Sequence, residues 1–224
     1  QVGPQSGIKR VPLLRIMHVV KNIIFDLGGV LLNIDTRKTD EAFAALGVNN
    51  FGNNYSLLKA DPLFDELEKG LVSEPAFFEG IRKLSRLSLT DENIRHAWNA
   101  LILDFRMESL QYLEKLKSSY SLYLLSNTNS IHHRAFHQNF SRQTGGRNFD
   151  DHFTRAYYSH QLGLRKPDRE IFDLMLADAG ILAEESLFID DLQKNIETAA
   201  ALGIKTHRLL AGEAIEGLNW RELI

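Results

Sequence analysis

Asp26 closes the apolar run Asn22-Ile23-Ile24-Phe25 and is followed by Gly28-Gly29. A short apolar run that breaks into glycines reads as a buried strand ending in a loop. Ser126 and Asn127 follow a similar run at Leu122–Leu125, and Lys166 precedes Pro167 beyond a third at Ala156–Ser159. The pair Asp190-Asp191 follows a fourth at Leu187–Ile189. Three carboxylates brought to one edge repel one another and raise each other's pKa unless a cation sits among them. Magnesium takes oxygen ligands, usually one or two carboxylates with waters and a phosphate oxygen. Asp26 and Asp190 are the expected direct ligands, with the Gly28 carbonyl between them and Asp191 as a further ligand or a holder of bound water. A carboxylate that attacks an anionic phosphate needs the charge between them neutralised and the groups held in line. Magnesium and Lys166 meet the first need. Ser126, Asn127 and the backbone at Leu27 and Gly28 meet the second. The expected chemistry is attack by Asp26 on a phosphoryl group, giving an aspartyl phosphate that water hydrolyses. Taken singly each signal is weak, since an Asp-Asp pair also caps helices and Lys-Pro also marks an exposed loop.

These groups need a scaffold that carries several strand ends to one place. Helical patterns lie between the runs: Leu110, Leu113 and Leu116; Ile131, Ala135 and Phe136; Ile171, Leu174 and Met175; Ile196, Ala199 and Ala200. A fifth run spans Thr206–Leu209. Strands alternating with helices of this length predict an α/β fold with a doubly wound parallel sheet, whose ligands bind beyond the carboxyl ends of the strands. The stretch from Thr36 to Phe105 breaks the rhythm, with helical periodicity and no convincing strand. Thr90 is the expected cap of a helix with Ile94, Ala97, Trp98, Leu101 and Ile102 on one face. Ser73 is the expected cap of another, with Phe77, Phe78, Ile81 and Leu84 inward, and Gly70 stops an earlier one. The expected organisation is a tail over 1–20, a core over 21–35 and 106–224, and a helical module over 36–105 whose apolar stripes, Trp98 included, form its own core.

Composition bounds the partners. The chain has 224 residues, 44% hydrophobic and 25% charged, with a net charge of −3. These are averages for a globular protein and supply no basic field for nucleic acid. With no cysteine, disulfides, thiolate catalysis and cysteine-based zinc sites are excluded, and a reducing cytoplasm is the expected location. The most apolar part of the tail, 11–20, is interrupted by Arg15 and His18, too short and too broken for a signal peptide or membrane span. Met17 is a candidate natural start. Nothing in the pattern specifies an oligomeric state.

The motifs resemble those of the haloacid dehalogenase (HAD) superfamily, from Lys21 to Leu210. Phe25-Asp26-Leu27-Gly28-Gly29-Val30 is similar to its first motif and Leu125-Ser126-Asn127-Thr128 to its second. Lys166-Pro167-Asp168 matches the third, and Phe188-Ile189-Asp190-Asp191 with Asn195 the fourth. The resemblance implies a Rossmann-like core, a mobile helical cap of the C1 type, and the same aspartyl intermediate. The pattern looks nearest to bacterial phosphatases of α-glucose 1-phosphate. The acidic pair favours a magnesium phosphatase acting on a small phosphorylated metabolite over a metal-independent 2-haloacid dehalogenase. One departure stands out: most phosphatases of the superfamily carry a second aspartate, the general acid, where this chain has Gly28. The expectation is a substrate with a good leaving group, such as an anomeric hydroxyl, or a stand-in from the cap or water. A phosphate-ligand binder with impaired turnover is the alternative from another class.

Three further features are read as structural. His133 and His137, with His132 adjacent, have metal-ligand spacing but are expected on a solvated helix face. Ser141 to Asn148, with Gly145-Gly146, is expected to be a flexible insertion rather than a phosphate-cradling loop. Asp35 is expected in a turn or as a helix N-cap near the cap hinge, with proton donation as the sharper reading.

Overall fold

A computed structural model describes residues 19–48 and 62–224. The tail through residue 18, with Met17, and the segment 49–61 of the expected helical module lie outside the described residues. Five strands form a parallel sheet: β1 (Asn22–Phe25), β4 (Ser121–Ser126), β5 (Arg155–Tyr158), β6 (Ser186–Asp190) and β7 (Lys205–Arg208). Their order is β5-β4-β1-β6-β7, with Ile23 opposite Leu122 on one side and Leu187 on the other. The strand bearing Asp26 is therefore central.

Alternation along each strand builds two cores. Ile23, Phe25, Leu122, Leu124, Leu187 and Ile189 pack against Leu110 and Leu113 of α5 (Met107–Leu116) and Phe136 and Phe140 of α6 (Ser130–Thr144). Ile24, Tyr123, Leu125 and Phe188 face the other way, onto Ile171, Phe172 and Met175 of α8 (Arg169–Ala179) and Ile196 of α9 (Gln193–Ala201). A short helix, α7 (Ser159–Leu162), follows β5. Each fully buried Phe, Leu or Ile contributes about 1.5–3 kcal/mol, so neither face can be lost without unfolding the sheet.

A third cluster belongs to the helices between β1 and α5. These are α1 (Thr36–Ala45), α2 (Pro62–Glu68), α3 (Glu74–Ser85) and α4 (Asp91–Asn99). Phe43, Phe64, Phe77, Phe78, Ile81, Ile94 and Trp98 pack there, with Ile131 inserted from α6. Ser73 and Thr90 cap α3 and α4 through their hydroxyls, and Gly70 sits at φ 67 beyond the end of α2. This is the helical cap that the motif pattern implied.

The structure departs from expectation at several points. Helix α4 stops at Asn99, and Ile102 lies in β3 (Ile102–Phe105), which pairs antiparallel with β2 (Leu32–Ile34). The apolar residues Leu101 and Ile102 fit a helical period, but their pairing partner lies some 70 residues earlier, beyond the reach of local periodicity. Leu84 is 51% exposed rather than inward. Ser141 to Thr144 form the last turn of α6, and Gly145 (φ 69) ends it with the Gly146 N–H donating to the Ser141 carbonyl, so the segment is a helix terminus rather than an insertion. Among the described residues no helix is long and apolar enough to cross a membrane.

Candidate active site

Strand β1 ends at Phe25, and the next residue, Asp26, donates its backbone N–H to the Ile189 carbonyl of β6. The chain then turns tightly. Leu31 and Leu32 both donate to the Leu27 carbonyl, and Gly29 takes φ +76, a conformation that glycine adopts without strain. An added Cβ on Gly29 would lie 2.6 Å from Asp191 Oδ2, so the turn presses directly on the acidic pair.

Lys166 is 1% exposed, which excludes the solvated-loop reading of Lys-Pro. Its ammonium donates to Asp26 Oδ1 at 2.8 Å and to Asp190 Oδ2 at 2.7 Å. Its backbone is held by Asn127, whose Nδ2 donates to the Lys166 carbonyl and whose Oδ1 accepts the Lys166 N–H, both at 2.8 Å. The Asn127 side chain, expected on phosphate, is thus engaged in placing Lys166. Ser126 is buried and lines the same cavity as Asp26 and Lys166. Ser159 locks the loop after β4 by accepting the Thr128 N–H and donating to the Thr128 carbonyl.

Asp190 is fully buried. Its Oδ1 accepts from the Leu192 N–H and from Asn195 Nδ2, and its Oδ2 from Asn195 Nδ2 and Lys166. A carboxylate has about four acceptor positions, so Asp191 is the freer member of the pair. Asp26, Asp190 and Asp191 each offer an oxygen within 4.8 Å of the others, the one such set of three ligand groups found among the described residues. An all-oxygen, three-carboxylate donor set fits a hard divalent cation.

The electrostatics follow from burial. Desolvation pushes the Asp26 carboxyl up to about 7; Lys166 opposes the shift, while Asp190 and Asp191 add to it. Asp191 is raised by burial and by Asp190. Burial alone would lower Lys166, but Asp190 and Asp26 together hold it above its usual value, charged at every working pH. Uncompensated carboxylates of this kind are what a bound cation would relieve.

Other expected residues fall elsewhere. Asp35 caps α1 by accepting the Arg37 N–H, and the Arg37 side chain holds its carboxyl below the usual range, the opposite of what a proton donor needs. His133 and His137 are only partly solvated, lining an open surface groove with Arg134, Gln138 and His160. Their half-buried rings lie 4.4 Å apart, with His133 4.6 Å from Tyr158 and 5.2 Å from His160, outside the Asp26 cavity. Burial pushes His133 down to about 4.

The cavity above Asp26 has a volume of about 340 Å³. Its walls include Trp98, Leu101 and Ile102 from the cap side, and His132 and Arg165 from the core. Trp98 serves two ends, since it packs on Phe64 and Phe77 within the cap and stacks on His132 across the cavity wall. Arg165 pairs with Asp65 and Glu68 of α2 at 3.0 Å each. Neither wall was foreseeable from local pattern; Arg165 alone had a signal, its place beside Lys166.

Comparison with known proteins agrees with the motifs. A family model described as haloacid dehalogenase-like hydrolase matches residues 20–203. D-ribitol-5-phosphate phosphatase from Bacteroides thetaiotaomicron is 35% identical over 205 residues, covering 91% of this chain and 96% of that protein. A HAD family enzyme from the same organism, solved as a complex with magnesium and inorganic phosphate, superposes with a TM-score of 0.80 at 38% identity, over 87% of this chain and 96% of that one. A predicted HAD-like family hydrolase from Porphyromonas gingivalis superposes with a TM-score of 0.78 at 34% identity, over 90% and 94%. With its motifs at the ends of three adjoining strands and in the segment that follows a fourth, and a family match over most of its length, this chain belongs to the haloacid dehalogenase-like hydrolases.

Proposed function

We propose that the chain is a magnesium-dependent phosphomonoester hydrolase that uses Asp26 as nucleophile and acts on a small phosphorylated sugar or sugar alcohol. The observation that carries this reading is the Lys166 ammonium, buried and bonded to both Asp26 and Asp190 inside a three-carboxylate cluster. That arrangement suits attack on an anion: a positive charge is fixed beside the nucleophile before the substrate arrives. Bound magnesium supplies charge neutralisation between carboxylate and phosphate. Asp26, Asp190 and Asp191 with the Gly28 carbonyl would hold it, Asp191 being the freer of the acidic pair, while Asp190 also fixes Lys166.

The Asp26 carboxylate forms the new bond to phosphorus as the bond to the substrate oxygen breaks. The leaving oxygen takes its proton from water, because Gly28 offers none. Water then cleaves the aspartyl phosphate, releasing phosphate and restoring the carboxylate. Ser126 and the backbone at Leu27 and Gly28 hold phosphoryl oxygens. Residues 36–105 act as the cap over the core of 21–35 and 106–224, and a cavity near the lower end of the usual ligand range of about 300–1,000 Å³ suits a small metabolite. The magnesium and phosphate complex of the Bacteroides enzyme and the D-ribitol-5-phosphate activity of the curated relative support this chemistry and substrate class. The latter also weakens the α-glucose 1-phosphate expectation, since a primary alkoxide is a poorer leaving group than an anomeric oxygen.

Phosphate release should be measured across sugar phosphates, polyol phosphates, nucleotides and acyl phosphates, with magnesium and with chelator. Magnesium-dependent release that disappears in Asp26→Asn is expected. Turnover retained in Asp26→Asn would refute the covalent mechanism, and halide release from 2-haloacids surviving chelation would replace the reading with dehalogenation. Ligand-induced stabilisation with no release from any ester would select the non-catalytic binder.

A further inference from the structure

His132 has no place in the chemistry above, yet it sits in the cavity wall. It lies in the first turn of α6, where its backbone N–H donates to the capping Asn129 side chain. Its ring stacks on Trp98 of the cap at 4.9 Å and 11°. Its Nδ1 is 2.9 Å from Asn99 Oδ1, at the last residue of α4. An amide oxygen only accepts, so Nδ1 carries the proton and Nε2 keeps a lone pair. Nε2 has no hydrogen-bond partner among the described residues, and the ring lines the cavity that holds Asp26. Burial pushes this imidazole down to about 3, so it stays neutral through the physiological range. The adjoining Trp98 Nε1 is a buried donor without a partner, in a side chain that lines the same cavity.

A neutral acceptor on a wall with aromatic faces matches one kind of group. Hydroxyls donate to such an acceptor, and the C–H faces of a hydroxylated chain pack against indole. A carboxylate would place acceptor against acceptor. We infer that His132 Nε2 is a specificity-determining acceptor for a hydroxyl on the carbon chain of the phosphorylated substrate, selecting a polyol or open-chain sugar phosphate over an unhydroxylated ester. This deepens the substrate class and rests on the phosphatase reading. It differs from a clamp between cap and core, which the stack and the Asn99 bond alone would provide, because it requires discrimination between substrates. Sites built to bond a substrate hydroxyl discriminate strongly against analogues that lack it, since their buried polar groups are then left unpaired.

The test compares kcat/KM for D-ribitol 5-phosphate and for n-pentyl phosphate, with magnesium present, in wild type, His132→Phe and His132→Gln. Phe keeps the stack on Trp98 and removes both ring nitrogens, whereas Gln restores an acceptor. The wild-type preference for the ribitol ester should fall by ~10–100-fold in His132→Phe, chiefly through KM, and recover in part in His132→Gln. An equal loss on both substrates, with the preference intact, would assign His132 to clamping and overturn the proposal. If His132→Phe does not fold, wild type assayed with mono-deoxy ribitol phosphates decides: at least one position must cost tenfold or more, and no discrimination at any position overturns it. Wild type that hydrolyses both esters equally well, or neither of them while releasing phosphate from another ester of the panel above, refutes only this assignment, whereas release from no ester at all overturns the phosphatase reading along with it.

Discussion

Gly28→Asp should convert this site toward substrates with poor leaving groups. The three atoms nearest to an added Cβ at Gly28 all belong to Ile34, with Cδ1 at 3.2 Å and the next two at 3.8 and 3.9 Å. Ile34 is 41% exposed and can turn its terminal methyl outward, at a cost of about 0.5–1.5 kcal/mol. No left-handed backbone stands in the way, in contrast to Gly29. The new carboxyl would join three others, and unit charges at ~6 Å repel by about 3 kcal/mol at an effective dielectric constant of ~20. That repulsion favours the protonated form, which is what a general acid needs. A fully positioned acid contributes ~10²–10⁴-fold. A carboxyl introduced without supporting hydrogen bonds should reach the lower end, ~10²-fold or about 2.7 kcal/mol. The assay is kcat/KM for an alkyl phosphate and for p-nitrophenyl phosphate, with magnesium present and Gly28→Asn as the size control. The alkyl-to-aryl ratio should rise about a hundredfold in the Asp variant alone. An equal change on both esters, or the same shift with Asn, would show that proton delivery to the leaving oxygen does not limit this enzyme.

Gly29→Ala meets both a left-handed backbone, worth about 1–2 kcal/mol, and Asp191 Oδ2 at 2.6 Å. The magnesium concentration for half-maximal turnover should rise at least tenfold, and an unchanged magnesium dependence would remove Asp191 from the ion's ligands. Acid should destabilise the fold through the buried histidines. His132 has a folded value near 3 against about 6.5 unfolded, so below pH 6.5 the unfolded chain takes up a proton that the folded chain refuses. Its contribution is intact above pH 6.5 and erodes as pH falls, by about 1.4 kcal/mol at pH 5.5. Urea midpoints at pH 7.5 and 5.5 should show this loss in wild type and a smaller one in His132→Phe; equal losses would mean that the ring is not held neutral.

The legible part of the molecule is the part built from strand ends. Asp26, Ser126, Lys166 and Asp190-Asp191 announce themselves because a buried parallel strand is a short apolar run and whatever follows it must stand at the ligand-binding edge. Three-dimensional convergence was therefore implicit in one dimension. Residues whose role depends on the cap meeting the core carried no such mark. Trp98 fits an apolar helix stripe whether or not its outer face meets His132, and His132 was visible only as a neighbour of two other histidines. Strand β3 was hidden because Ile102 continues the helical period of Ile94 and Trp98, while its pairing with Ile34 is set by tertiary contact. Asn127 looked like a phosphate holder because its position is right; that its amide closes on the Lys166 backbone depends on a loop 39 residues away.

Arg165 and Lys166 join these two levels. Lys166 reaches inward to Asp26 and Asp190, while the neighbouring Arg165 reaches outward to Asp65 and Glu68 of α2, and Lys69 at the end of that helix lies 3.8 Å from Asp168. A second tie runs from Glu74, at the start of α3, to Ser130 and Arg134 of α6. That helix also presents His132 to the cavity. Ion pairs with this degree of exposure are individually worth about 0–1 kcal/mol, so they cannot lock the cap in place. The segments gripped by the cap are those that carry the site's buried cation and its proposed hydroxyl acceptor. The cap therefore touches the site through adjacent residues of one loop and one helix start: Arg165 beside Lys166, and Ser130 and Arg134 on either side of His132.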